Sequence, residues 1–501
     1  MPDSPKNRKT KVIADSIYLS LKPIISLILG LIISVIISNV IATSDFGTYS
    51  ILATLIGGIP TIIGLGMPGA ATRYIAHAIG EEKRDEVIRI IASVTLFLIS
   101  VIVISIILIP GITLFILDSL NIVIGWDTLL IYTGAIIAIF SFNILSGIEK
   151  GFQNMKKVGL ASLGGTVTGQ IVSAFLLIQG FGINALLLKF LIAALLSILF
   201  MAMFEPISLK IQRDRYPTKE LLLFGFPTVS SYLLAFLSQN FFLRVFLFTS
   251  FGISALGLYE FAMRQANLLV TFGVGYYATL TPYFSESLGR GKGKLQGVSW
   301  TIKSSAFVFA PLTLGLIFVS EPFFSIFGPN YQAALPIFII LAIRILPIFL
   351  MRPFNSMLAA IKRTDRYYIS AAVATIIAIA CGVLFVPFGP IGIALALAAS
   401  EITGNLILVY YSRKYLPDIY VDTRAIVKII FGAILMYIPI YFINQQYSGI
   451  IALLIDLVAG ALVYMIYCRF ANVVSEHELS IATSFLPSPI IKLIKKLLIR
   501  K

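Results

Sequence analysis

Arg244, Glu260, Arg264, Arg344, Arg352, Glu401 and Asp456 all fall inside long apolar runs. A charge at the centre of a bilayer costs roughly 2.5–3.5 kcal/mol or more unless it faces protein, water or a partner, so each marks a candidate site. Glu260 and Arg264 are spaced i,i+4 with the acid first, a geometry that allows a neutralising pair on one helix face. Asn267 and Thr271 continue that stripe. Arg344 and Arg352 have no acid in their own run, and ideal helical steps put them within about 80° of each other. Glu260, Glu401 or Asp456 from other segments could neutralise them, and the sequence does not choose among these. Arg244 lies near the end of its run, from where a long side chain can also reach the interface.

Basic groups are at least as numerous as acids in these runs, so a cavity lined by them would be electropositive. Guanidinium groups offer forked, charge-assisted hydrogen bonds to phosphate and pyrophosphate. Arg264, Arg344, Arg352 and Arg244 are therefore the candidate substrate-binding residues. Glu260, Glu401 and Asp456 are candidates for ion coupling or counter-charge, and a proton or sodium gradient would be the energy source.

Other chemistry is missing from the sequence. No Walker phosphate-binding pattern occurs, which argues against direct ATP-driven pumping by this chain. Two histidines and two cysteines, Cys381 and Cys468, have no metal-ligand spacing. No catalytic set, metal site or cofactor is expected, and the chain reads as a transporter rather than an enzyme. A membrane glycan polymerase or glycosyltransferase, the competing enzyme class, would need substantial membrane-edge loops with catalytic carboxylates, and the connections are short. The net charge of +15 comes from residues at the ends of apolar runs, which read as topology signals and contacts with anionic phospholipid rather than with nucleic acid.

The elements that must position these charges are membrane helices. The chain has 501 residues, 58% hydrophobic and 12% charged, and apolar runs near the roughly 20 residues needed to span a hydrocarbon core recur throughout. They imply an all-α polytopic membrane protein with about fourteen spans. The first run, residues 16–42, is too long for a signal-peptide core and reads as a retained helix. The second, 46–72, carries Gly57, Gly58, Pro60, Gly64, Gly66, Pro68 and Gly69 and should bend. Residues 74–89 read as a polar connection that includes His77, and 110–127 as a connection on the opposite side. Lys and Arg alternate between connections so that both termini fall on the cytoplasmic side of the cell membrane.

The expected organisation is an N-terminal six-helix lobe over 1–204, a cytoplasmic linker over 205–220, a second six-helix lobe over 221–411, two extra helices within 412–470, and a basic amphipathic tail over 471–501. The two lobes echo each other. "FGTYS" at Phe46 matches "LGLYE" at Leu256, aligning Gly47 with Gly257, Tyr49 with Tyr259 and, further on, Gly80 with Gly289; "FNILSGIEKG" at Phe142 matches "FNSMLAAIKRT" at Phe354. Six helices per unit give both units one orientation, as in parallel transporter repeats that support alternating access.

The stretches "LILGLIISVIISNVIATSDFGTYS", "IGLGMPGAATRYIA" and "FNILSGIEKGFQNM" resemble the polysaccharide and oligosaccharide flippase family of the multidrug/oligosaccharidyl-lipid/polysaccharide exporter superfamily. The resemblance covers about residues 13–411, with the last two helices like the extra pair of some members. It implies two six-helix lobes around a central cavity and translocation of a glycan on polyprenyl phosphate or pyrophosphate from the cytoplasmic to the outer leaflet. The expected partners are that anionic lipid-linked glycan, membrane phospholipids and glycan assembly enzymes. A lipid II-type cell-wall precursor flippase is the near alternative and a cation-coupled multidrug exporter the more distant one.

Overall fold

Backbone amides inside a bilayer must find partners within the chain, which leaves helices as the default solution for apolar runs of this length. The computed structural model follows that rule. It describes residues 27–473 apart from 205–208, 210, 211, 213, 279, 281–283, 285–295, 362, 364 and 418–420. The start of the first apolar run, the basic connection containing Gly289, and the expected tail from 474 onward lie outside the described residues.

Among the described residues, eleven helices are long and apolar enough to cross a membrane. The longest such stretch, Arg366–Tyr415, contains two helices with a break between Phe385 and Gly389. The fourteen-span count and the side on which the termini lie stay proposals. Large apolar side chains point outward as well as inward. In the helix Arg84–Ser119, Ile107 and Phe115 are 79% and 77% exposed, while Ser93, Thr95, Ser105 and Thr113 are buried beside Ile90, Ile91 and Leu98. Lipid tails give no hydrophobic incentive to bury every leucine and isoleucine, so small and hydroxylated residues can share the packed faces.

The chain divides into two compact units, Met1–Glu260 and Phe261–Lys501. The first contains α1 (Leu27–Val40), α2 (Thr43–Ile63), α3 (Met67–Gly80), α4 (Arg84–Ser119), α5 (Trp126–Gly151), α6 (Met155–Ile178), α7 (Gly182–Phe204), α8 (Thr218–Ala235) and the start of α9 (Leu243–Ala278). The bend expected in the second run is a break. Leu65 and Gly66 take φ of 44° and 74°, ending α2 and letting Pro68 open α3.

Two expected connections are helical instead. Residues 74–80 belong to α3, whose exposed His77 lies on it, and only 81–83 separate α3 from α4. Residues 110–119 extend α4, because Pro110 within a membrane helix leaves local gaps that neighbouring groups can fill.

Close packing in this unit depends on missing side chains. A Cβ on Gly147 would lie 2.6 Å from the Pro68 carbonyl oxygen, and one on Gly169 would lie 2.7 Å from that of Lys189. These approaches seat α5 against α3 and α6 against α7. α8 passes into α9 through a π-helical turn, Phe236–Phe242, and α9 is broken at Gly252, with φ 81° and ψ 176°. That break falls within "TSFGISALG", the junction expected from sequence.

The second unit contains α10 (Gln296–Phe318), α11 (Ser320–Phe324), α12 (Leu335–Ile343), α13 (Ile345–Ala360), α14 (Arg366–Phe385), α15 (Gly389–Tyr415), α16 (Thr423–Leu435), α17 (Tyr437–Gln446) and α18 (Gly449–Phe470). Its core includes stacked rings of Tyr277, Phe309 and Phe349, the last two with centroids 3.9 Å apart. The Tyr277 hydroxyl donates to the Phe349 carbonyl at 2.9 Å, so the polar tip of a buried ring is satisfied.

Candidate functional site

Arg344 occupies the break between α12 and α13. Pro347 has no N–H to offer the carbonyl one turn earlier, so the helix can open at this point. Its side chain is buried at 4% exposure. Nη1 pairs with Glu401 Oε2 of α15, while Nη2 faces Met263 Sδ at 3.2 Å and Asn267 Oδ1 at 3.4 Å. Nε has no hydrogen-bond partner among the described residues. The guanidinium is thus held by one carboxylate and two weaker acceptors, with the Nε hydrogen and one Nη1 hydrogen left over.

Glu401 is a quarter exposed and begins a polar path along the second unit. Asn405 donates to the Glu401 carbonyl at 2.8 Å, Asn355 to Asn405 Oδ1 at 3.1 Å, and the Tyr367 hydroxyl to the Asn355 carbonyl at 2.6 Å. Arg352 is exposed. The ideal-helix expectation that Arg344 and Arg352 share a face assumed one straight helix. Between them the backbone stays helical at Arg344, with φ −60° and ψ −24°, and Pro353 lies inside α13. Arg264 is half-buried.

In the first unit, Arg244 clasps Glu260. Nε approaches Oε1 at 2.6 Å, an ion-pair contact bent away from hydrogen-bond geometry, and Nη2 donates to Oε2 at 3.1 Å. Both side chains are about one-eighth exposed, at 13% and 12%, so Arg244 does not reach out to an interface as its place in the run allowed. The Gly252 break folds the chain back and brings together two residues sixteen positions apart. Beside an i,i+4 alternative, that pairing had no sequence signal.

Two further cations, Lys157 and Lys189, are held by side-chain contacts. Glu149 and Lys157, at 3% and 8% side-chain exposure, pair at 2.9 Å across the corner between α5 and α6. Asn154 donates to the other Glu149 oxygen at 2.9 Å. The stretch from Glu149 to Lys157 is therefore a packed corner, and the Gly147/Gly151 spacing beside it was the available signal. Lys189 donates to the Tyr49 hydroxyl at 3.1 Å and lies 4.5 Å over the Phe190 ring, a cation–π contact favoured where water is scarce.

Asp456 of α18 is fully buried, and neither carboxylate oxygen has a hydrogen-bond partner among the described residues. Of the three candidate carboxylates, two pair with arginines, and among the described residues Asp456 has no ion-pair partner.

A family model described as polysaccharide biosynthesis protein matches residues 12–288, more than half of the chain. The chain belongs to the polysaccharide biosynthesis protein family. No curated protein matches it. Among solved structures, the lipid II flippase MurJ in an inward closed conformation superposes with a TM-score of 0.72 at 20% identity, covering 91% of this chain and 99% of MurJ. An inward-facing multidrug resistance MATE transporter of the MOP superfamily gives 0.63 at 15% identity, covering 80% and 98%. A MOP superfamily transporter from Pyrococcus furiosus, described as having a binding pocket of reversed polarity, gives 0.58 at 17%, covering 81% and 96%. These identities establish the fold shared with MOP transporters. This member of the polysaccharide biosynthesis protein family is a multi-pass membrane protein with the fold shared by MOP transporters.

Proposed function

We propose that the protein flips an anionic lipid-linked oligosaccharide, carried on polyprenyl phosphate or pyrophosphate, from the cytoplasmic to the outer leaflet by alternating access. The observation that carries this reading is Arg344, a buried guanidinium at a helix break with Nε still available as a donor. An ionisable side chain inside a membrane span faces protein or a water-filled cavity and marks a substrate or ion path. The phosphate engages Arg344, with Arg264 and Arg352 as further cations of the second unit. Glu401 holds Arg344 between turnovers, and Arg244 with Glu260 forms a second charged centre in the first unit. Fourteen spans would put both termini in the cytoplasm, and glycan assembly enzymes would supply the substrate there.

The likeness to MurJ supports one alternative cargo, a lipid II-type cell-wall precursor. Lipid analysis of a deletion strain separates the two: the accumulated precursor carries either a polysaccharide repeat or a cell-wall unit. Flipping of a fluorescent polyprenyl-pyrophosphate glycan by the reconstituted protein tests the main reading. Unchanged flipping by folded Arg344→Ala would overturn the assigned role of Arg344.

A further inference from the structure

Arg363 and Arg366 meet the rings of Tyr411 and Tyr415 where α14 of the second unit begins and α15 ends. α15 has 27 residues, about 40 Å at 1.5 Å per residue, against a hydrocarbon core of roughly 30 Å. With the helix upright and centred, its final turn stands at head-group depth. Tyr411 and Tyr415, one turn apart, stack with centroids 6.3 Å apart and planes at 19°. The Arg366 guanidinium carbon lies 4.9 Å from the Tyr411 centroid and 5.7 Å from that of Tyr415, and the Arg363 carbon lies 4.9 Å from the Tyr415 centroid. Two cations thus share one aromatic platform.

The platform is held from both sides. The Arg363 amide donates to the Leu358 carbonyl at 2.8 Å and the Arg366 amide to the Arg363 carbonyl at 3.3 Å, which fixes the turn that presents both side chains. The Ser412 hydroxyl donates to the Phe354 carbonyl at 3.0 Å and pins the end of α15 to α13. Charge here is one-sided: the described residues of 361–366 and 411–417 carry Arg363, Arg366, Arg413 and Lys414 against Asp365 alone. The Asp365 side chain is 52% exposed, and its Oδ2 meets Arg366 Nε at 3.1 Å outside hydrogen-bond geometry. A ring face attracts a guanidinium without taking up its forked N–H edge, the part that matches a phosphate. Stacking also restrains the long side chains before any ligand arrives, which lowers the entropy cost of binding.

We propose that Arg363 and Arg366, stacked on Tyr411 and Tyr415, form a binding site for the phosphate of an anionic phospholipid in the adjoining leaflet. This edge is the basic one expected on the cytoplasmic side, where the leaflet surface is negatively charged. The phosphate takes the two forks, and the acyl chains stay in the bilayer, so no pocket is required. A diffuse basic edge would hold such lipids by charge count alone, whereas a stacked pair depends on the forks and on the rings beneath them. Arg344 is buried at 4% exposure and Arg363 is exposed. The two are separate sites, and this one stands whether or not the chain flips a glycolipid.

The test is equilibrium binding of phosphatidylglycerol with a fluorescent tail to the full chain in neutral maltoside micelles, with the matching phosphatidylcholine as zwitterionic control. The wild type should prefer phosphatidylglycerol. Arg363→Gln/Arg366→Gln should weaken its binding by about tenfold, the size of a lost charge-assisted contact. Arg413→Gln/Lys414→Gln removes the same charge from exposed side chains that stack on no ring among the described residues. That pair should change the binding by less than about twofold, as expected of solvent-screened charges. Tyr411→Leu/Tyr415→Leu keeps both charges and removes the platform, and Arg363→Lys/Arg366→Lys keeps the charges without the forks. Both should lose most of the preference, and these arms stand even if Arg363→Gln/Arg366→Gln fails to fold. Equal losses in the two charge-matched pairs, full binding by Arg363→Lys/Arg366→Lys, or equal affinity for phosphatidylcholine would each overturn the proposal. Displacement of the probe by inorganic phosphate at the probe's own concentration would assign the site to a free anion and overturn it too. The readout contains no transport step, so failure of the flippase reading would appear separately, as absent flipping with phospholipid binding intact.

Discussion

Gly47 and Gly257, the glycines aligned by the internal sequence echo, pack against each other's helices. A Cβ on Gly257 would overlap the Thr43 carbonyl and stand 3.2 Å from the Gly47 nitrogen, while one on Gly47 would overlap the Ile253 carbonyl. Equivalent positions of a repeat meet at the axis that relates them, so this reciprocal contact is what a parallel duplication would produce. The obstacle at each position is backbone, which cannot rotate away as a side chain can.

Gly257→Ala should therefore destabilise the protein by about 1–3 kcal/mol, the usual cost of overpacking. Gly57→Ala on the same α2 helix meets no atom within 4 Å and should be neutral. Thermal unfolding in nanodiscs compares the two directly, and equal melting temperatures would refute the close-contact role.

The buried Glu149–Lys157 pair should behave asymmetrically. Removing one partner leaves the other charge buried and should cost about 3–5 kcal/mol, whereas replacing both by apolar residues of similar volume is often neutral. Glu149→Gln retains the contact with Asn154 and should fall between these. A double-mutant cycle with Glu149→Leu and Lys157→Met, read by thermal unfolding, gives a coupling near zero if the corner is solvated in the membrane.

The membrane class was legible because apolar runs set span lengths directly, and the break at Gly252 because "TSFGISALG" interrupts such a run. The charges were legible as residues but not as pairs. Arg244 and Glu260 meet only because Gly252 reverses the chain, and Arg344 meets Glu401 across 57 positions. Nothing in the local sequence marks Glu149 as buried, because local sequence reports hydropathy and not what α3 and α6 cover.

Tyr216, before α8, offers a pH test outside the spans. Its hydroxyl donates to Glu220 at 2.9 Å, and burial, reinforced by that carboxylate, pushes the phenol up to about 12 from its ordinary 10. A raised folded-state value means the contribution to stability is complete below the ordinary value and is lost as pH rises through about 12. Carbon-13 tyrosine NMR, with Tyr216→Phe for assignment, should show a late titration that moves back toward 10 in Glu220→Gln. A midpoint unchanged by Glu220→Gln would remove the carboxylate as a cause.

Arg344 and Glu401 make the sharpest functional prediction, because one guanidinium cannot give its best donors to a carboxylate and a phosphate at once. Under the proposed function the substrate phosphate competes with Glu401 for Arg344. Glu401→Gln keeps the shape and removes the competing charge, so it should tighten glycolipid binding by about tenfold, equivalent to about 1.4 kcal/mol. Arg344→Ala should abolish that binding, and Arg344→Lys should restore only part of it, since an ammonium lacks the planar fork. The double variant Arg344→Ala/Glu401→Gln should unfold at a higher temperature than Arg344→Ala, because it no longer leaves Glu401 without its cation. Equilibrium binding of a fluorescent polyprenyl-pyrophosphate glycan to nanodisc-embedded protein separates these effects. If Glu401→Gln binds no more tightly than the wild type while Arg344→Ala loses binding, the phosphate reaches Arg344 without displacing Glu401, and the competition is absent.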